Sequence, residues 1–139
     1  MSKEEGKQMK HLEVVAALIE KEGRFLVCQR PSHKAQGDLW EFAGGKIESG
    51  ETPRQALVRE CKEELEVDVA VGELFMEQTH TYSDRIVHLM VFWATIQQGN
   101  PVAKEHQNLC WATPQQMQQL DFCPADLPML EKLNHIYKA

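Results

Sequence analysis

Three glutamates, Glu60, Glu63 and Glu64, stand at i, i+3 and i+4 in the stretch GKIESGETPRQALVRECKEELEV, residues 45–67. On a helix that spacing puts all three carboxylates on neighbouring faces. They repel one another unless a cation sits among them, and a hard divalent ion such as Mg²⁺ suits oxygen ligands. The same pattern also describes a solvated surface helix, with Arg59 pairing with Glu63 and Lys62 softening the cluster. The loop before it adds chemistry. Gly44-Gly45 lets the backbone come close to a bound group, and Lys46 follows directly. Gly50-Glu51 makes a second turn and sets Glu51 at the positive end of the helix. Amides, a lysine and clustered carboxylates together suit a metal-bridged polyphosphate.

The elements that must position these groups are legible around them. Thr52 is an N-cap, Pro53 fits the first helical position, and Gln55 completes a capping box. Leu57, Val58, Cys61 and Leu65 form the expected apolar face. Residues 1–10 are polar and read as a flexible tail, leaving 11–139 as one domain. Residues 12–20 and 25–30 read as strands joined by a turn at Lys21–Arg24, with Pro31 ending the second. Residues 67–82 read as extended chain with a turn at Gly72. Ser83-Asp84 marks a hairpin turn. IVHLMVFWATI, 86–96, is the strongest strand, and 97–106 is a polar loop. NLCW, 108–111, is a short strand, and Thr113-Pro114-Gln115-Gln116 repeats the capping pattern. A last helix is expected from Asp126 to Tyr137, with Leu127, Leu130, Leu133 and Ile136 as its stripe. Interleaved strands and helices predict an α/β fold, a mixed sheet with helices on both faces.

The 139 residues suffice for one cored domain, and 42% apolar with 26% charged content is ordinary for a soluble protein. A formal net charge of −6 argues against binding polymeric nucleic acid through a basic surface, but not against a single nucleotide. Four scattered cysteines without C-x-x-C spacing read as reduced thiols. No apolar run has the length of a membrane span, and the first ten residues lack a signal-peptide core. The expectation is a cytoplasmic protein with no membrane partner, a monomer or small homo-oligomer.

The stretch resembles the signature of the Nudix hydrolases, G-x5-E-x7-R-E-U-x-E-E-x-G-U, where U is bulky and apolar. Gly45, Glu51, Arg59, Glu60, Cys61, Glu63, Glu64 and Val67 match it. Glu66 stands where the family has glycine, a residue that usually follows the helix in a left-handed conformation. A side chain there costs roughly 1–2 kcal/mol, unless the helix ends differently. Further segments extend the resemblance over nearly the whole chain: VVAALIE, QRP, LWEFAGGKIE, EHQ…W and PADLPMLE. It points to the MutT-like branch, and within that to bacterial CTP pyrophosphohydrolases. The resemblance implies an α/β/α sandwich with the signature helix on the sheet.

By that similarity, Glu60, Glu63 and Glu64 would hold Mg²⁺ or Mn²⁺, with the Gly44 carbonyl and Glu105 as further ligands. Metal ions bridging a polyphosphate neutralise its charge and lower the pKa of water. A carboxylate beside that water takes its proton, a role for Glu60 or, failing that, Glu105. Arg59 would orient the glutamates, while Lys46 and Arg30 are candidates for phosphate contact. Glu105 is equally an ordinary loop residue, and Arg30 equally a strand-end surface residue. The base would lie among Val14, Phe42, Arg85 and Asp126. An ionised Asp126 accepts from an exocyclic amine, as in cytosine, and a protonated one could donate to an oxidised purine. Asp126 would also serve as N-cap of the last helix.

The implied activity is Mg²⁺-dependent hydrolysis of a nucleoside triphosphate to a monophosphate and diphosphate, on CTP, dCTP or modified pyrimidine nucleotides in nucleotide-pool sanitation. The alternatives are a MutT-type 8-oxo-dGTP diphosphatase and a non-catalytic nucleotide-binding Nudix module.

Overall fold

β-Branched and apolar runs alternate inward and outward along the chain, and this parity builds the architecture. In the computed structural model, which describes residues 10–137, seven strands and three helices follow one another. They are β1 (Lys10–Lys21), β2 (Arg24–Gln29), β3 (Trp40–Glu41), β4 (Gly44–Lys46), α1 (Pro53–Leu65), β5 (Asp68–Thr81), β6 (Arg85–Gln98), β7 (Asn108–Ala112), α2 (Pro114–Met117) and α3 (Leu127–Ile136). A 3₁₀ turn at Pro124–Asp126 leads into α3.

β1 is central. It runs parallel to β6 from Lys10 beside Arg85 to Ile19 beside Ala94. Its middle pairs antiparallel with β4, and its end turns back into β2. β5 pairs antiparallel with β6, and β2 carries β3 and β7. The sheet is therefore mixed, as expected. Val15, Ala17 and Ile19 of β1 pack with Leu57, Cys61 and Leu65 of α1. Ala16 and Leu18, on the opposite face, pack with Met129 and Leu133 of α3. One strand's alternation thus makes two cores, and the molecule is an α/β/α sandwich.

Several expectations need correction. Lys10 already belongs to β1; the rest of the expected tail, residues 1–9, lies outside the described residues. Gly72 makes no turn: β5 continues through it, with register shifts between Val71 and Leu74 and between Leu74 and Met76 that bulge the strand. β6 runs to Gln98, so the polar loop starts later than expected. In α3, Leu133 is buried, but Leu127 and Ile136 are each 51% exposed. The expected stripe steps three residues at a time and so drifts by about 60° per step, which swings its two ends to opposite sides of the helix. Met129, four residues before Leu133, takes the inward position instead. In α1, Val58 is exposed and Ala56 is buried, because the core arc lies toward the glutamate side of the helix.

Candidate active site

The capping box of α1 forms as the spacing predicts. Thr52 Oγ1 accepts from the Gln55 N–H at 3.1 Å, and Gln55 Oε1 accepts from the Thr52 N–H at 2.9 Å. Such a cap contributes about 1 kcal/mol. At the other end Glu66 adopts φ 60°, ψ 34°, the left-handed conformation in which the family carries glycine. The helix therefore ends in the usual way despite the side chain, at a cost of roughly 1–2 kcal/mol. Lys104 Nζ meets the Glu66 carboxylate at 2.9 Å.

Helical geometry sorts the three glutamates. Glu60 and Glu64 fall within the buried arc of α1, and Glu63 falls about 20° outside it. Glu64 is accordingly buried, whereas the Glu63 side chain is 52% exposed. Arg59 gathers the outer carboxylates. Its Nε donates to Glu51 at 2.6 Å, and its Nη2 to the other Glu51 oxygen at 3.0 Å. Its Nη1 donates to Glu60 at 3.0 Å and Glu63 at 3.2 Å, and Nη2 also holds the Lys46 carbonyl at 3.0 Å. These bonds raise the Arg59 pKa, the Glu51 contact first. Lys62 does not soften the cluster; it pairs with Asp68 at 3.4 Å. Glu51 is tied into the loop by Arg59 and by the Glu48 N–H, which lower its pKa.

Glu64 lies beyond the reach of Arg59. Its Oε1 accepts from the Gly44 N–H at 3.3 Å. Burial, then the charges of Glu60 and Glu41, push its pKa up to about 9. Burial also raises Glu60, against the pull of Arg59. The adjacent glycines are fitted to this pair. A Cβ on Gly45 would overlap the Glu60 carboxylate, and one on Gly44 would strike the Val15 carbonyl of β1.

The Glu60–Glu64 pair opens into a cavity of about 380 Å³, a normal size for a small-molecule site. Gly44, Gly45, Lys46 and Arg30 line the same cavity, as do Val14, Phe42, Arg85 and Asp126. Nine of the twelve expected site residues thus meet in one space; Arg59, Glu63 and Glu105 do not line it.

The far end is assembled from distant segments. The Trp40 N–H donates to the Asp121 carbonyl at 2.8 Å, and the Cys123 N–H to the Trp40 carbonyl at 2.9 Å. This pairing brings the 3₁₀ turn beside Phe42. From β5, Gln78 Nε2 donates to the Ala125 carbonyl. Asp126 is 6% exposed and makes no side-chain capping bond to α3, so the N-cap role is not realised. Burial, then the charge of Glu41, pushes its pKa up to about 8, against the Phe42 N–H and Arg30. Phe42 is both core and wall: it is 3% exposed, tilts against Phe122 at 5.6 Å, and lines the cavity. Arg85 stacks over the Tyr82 ring at 4.3 Å and bonds Asp84 at 2.9 Å.

Arg30 is half-buried. Its Nη1 donates to Glu41 at 3.2 Å and its Nε to the Ala35 carbonyl at 2.8 Å. Lys46 is exposed at the rim. Glu105 sits on an exposed loop, close enough for its charge to raise Glu64. That loop does not hang free to close over the site. The Val102 and Lys104 N–H groups donate to the Leu65 and Glu64 carbonyls, at 2.9 and 3.2 Å.

Sequence reasoning missed Glu41, which lines the cavity between its two ends and raises both Glu64 and Asp126. It also missed Tyr82 and His106. The available signal was Glu41 itself, a carboxylate between two aromatics in the segment WEF.

The residues fit a divalent cation. Glu64 is buried beside the half-buried Glu60, whose charge disfavours a second negative charge there, and their oxygen-only donor set suits Mg²⁺ or Mn²⁺. Among the described residues no three such side chains already converge as a metal shell; Arg59 holds Glu63 and one side of Glu60.

Comparison with known proteins agrees with this geometry. The model of the NUDIX domain matches residues 14–132. CTP pyrophosphohydrolase of Escherichia coli K12 is 47% identical over 123 residues, covering 88% of this chain and 91% of the relative. The 8-oxo-dGTP diphosphatase of the same strain is 33% identical, covering 92% of this chain and all of the relative. The solution structure of the E. coli ORF135 protein superposes with a TM-score of 0.79 at 44% identity, over 94% of this chain and 96% of that one. Among the described residues, no helix is long and apolar enough to cross a membrane. By the match over residues 14–132 and by these identities, the chain belongs to the NUDIX domain family and is a Nudix hydrolase.

Proposed function

We propose that residues 11–139 act as one unit that hydrolyses a nucleoside triphosphate to a monophosphate and diphosphate, with CTP, dCTP or a modified pyrimidine nucleotide as substrate. The observation that carries this is the single cavity joining the Glu60–Glu64 pair to Asp126. The 47% identity to a CTP pyrophosphohydrolase supports the choice of base.

Glu60, Glu63 and Glu64, with Glu105 and the Gly44 carbonyl, would hold Mg²⁺ or Mn²⁺. When bound, that ion neutralises charge on the triphosphate oxygens and acidifies the attacking water. Arg59 orients Glu60 and Glu63 through paired bonds and offsets the repulsion between them. Lys46 and Arg30 contact phosphate at the rim. Glu60 accepts the water proton, with Glu105 as the second candidate. The water oxygen bonds to phosphorus, the α–β anhydride bond breaks, and the two phosphate products leave.

At the other end Val14, Phe42 and Arg85 flank the base, and Asp126 reads its edge. With a pKa of about 8, Asp126 carries a proton at neutral pH and offers one donor and one acceptor. Cytosine presents the complementary pair at N3 and its N4 amine. An 8-oxopurine presents another at O6 and N7–H, which makes 8-oxo-dGTP the second reading. We infer a cytoplasmic enzyme, a reading supported by the nucleotide-pool substrate proposed.

The test is diphosphate release from a panel of normal and damaged NTPs and dNTPs, with Mg²⁺ and with chelator. Metal-dependent release that is greatest with cytidine nucleotides supports the proposal. Greatest release with 8-oxo-dGTP moves the substrate to the second reading. No release from any nucleotide contradicts both and leaves a binding module.

A further inference from the structure

His106 is buried, its side chain only 4% exposed, in the loop that joins β6 to β7. Its Nε2 meets the Glu41 carboxylate at 2.9 Å. Its Nδ1 is buried and finds no hydrogen-bond partner among the described residues. An unpartnered buried nitrogen is a cost that an apolar side chain of similar size would avoid. Packing alone therefore gives no reason for an imidazole here, whereas the Nε2 bond does.

The two neighbours of Glu105 are tied to different elements. Before it, Lys104 binds α1 through the Glu64 carbonyl and the Glu66 carboxylate. After it, His106 binds Glu41 on the cavity wall. Gln107 adds a staple: its N–H donates to the Gln29 carbonyl at 2.9 Å, and its Nε2 to Asp38 at 2.8 Å. Glu41 is in turn fixed by Arg30 at 3.2 Å.

We infer that His106 is a positioning residue that latches the Glu105 loop to the cavity wall through Glu41, so that Glu105 is presented to the Glu60–Glu64 pair from a fixed strap. The inference rests on the proposed hydrolase reading and adds how its loop carboxylate is placed. The His106 ring itself touches neither substrate nor cation; it acts through Glu105.

The experiment combines His106→Leu, which keeps bulk and removes the bond, with His106→Gln, whose Nε2 lies at the same distance along the side chain. Turnover and amide hydrogen exchange are measured for both. The leucine variant should lose about tenfold in kcat with nucleotide KM within about threefold, and the Lys104 and Gln107 amides should exchange about tenfold faster. The glutamine variant should recover most of both. In a Glu105→Gln background, His106→Leu should cost no further kcat. Equal losses in both backgrounds, unchanged exchange in the loop, or a glutamine variant no better than leucine would each overturn the latch. A wild type that releases no diphosphate from any nucleotide, yet shows the exchange changes, would retain the latch and refute the hydrolase reading.

Discussion

The two ends of the cavity are built in opposite ways. The acidic end comes from one short stretch: Gly44, Gly45, Glu60 and Glu64 lie within 21 residues, on a capped helix and the strand before it. The far end draws Val14 from β1, Phe42 from the chain after β3, Arg85 from β6 and Asp126 from the turn before α3. The acidic end is held by charge, with Arg59 bonding Glu51, Glu60 and Glu63. The far end is held by packing and backbone pairing, through Phe42 on Phe122 and Trp40 beside Asp121 and Cys123. On the proposed reading the two ends have different tasks. A locally built, charge-locked end suits a reaction that is the same for every nucleotide. An end drawn from four distant segments can change its wall one residue at a time, and suits selection of the base.

Glu60→Gln breaks the acidic end with the largest expected effect. It should lower kcat by roughly 10²–10⁴ while leaving the melting temperature near that of wild type. A rate near wild type would remove Glu60 from the base role and leave Glu105.

The two glycines sharpen the comparison within the acidic end itself. Gly45→Ala pushes only the tip of the Glu60 side chain, so it should cost about 10–100-fold in kcat and little stability. Gly44→Ala drives a methyl into the Val15 backbone and should lower the melting temperature first. Thermal melts beside steady-state rates separate the two, and the reverse assignment would refute the packing described for β4.

The far end is probed through pH, with stability rather than rate as the readout. The folded-state pKa of Asp126, about 8, lies above its ordinary value of 3.8. Between those values the folded protein keeps a proton that the unfolded chain has released, so this group's contribution to stability falls as pH rises. Asp126→Asn has no such proton. Its melting temperature should therefore gain on wild type across about pH 4–8 and hold a constant difference above. A difference that stays flat over that window would show that Asp126 is ionised in the folded state.

The same contrast explains what could be read from the chain alone. The capping box at Thr52, the glutamate spacing and the Glu22-Gly23 turn are local, so propensity and periodicity suffice for them. Which glutamate is buried was not legible, because it depends on where the core arc of α1 lies against the sheet. Val58 and the α3 stripe failed for that same reason. At the far end, no spacing relates Val14 to Asp126; only the family resemblance nominated them together. Capping and base reading were equally open for Asp126 until its backbone was seen, helical at φ −92° and ψ −8°, with no capping bond. Glu41 stayed hidden because its partners, Arg30, His106 and the two ends of the cavity, converge only in the folded chain.

One crossed measurement tests the division of labour most directly: kcat/KM for CTP and for 8-oxo-dGTP, in wild type, Glu60→Gln and Asp126→Leu. Glu60→Gln should lower both values by the same factor and leave their ratio unchanged. Asp126→Leu, which keeps bulk and removes both the donor and the acceptor, should change the ratio by about tenfold or more, the scale of one good base-edge contact. A ratio moved by Glu60→Gln and untouched by Asp126→Leu would contradict the account.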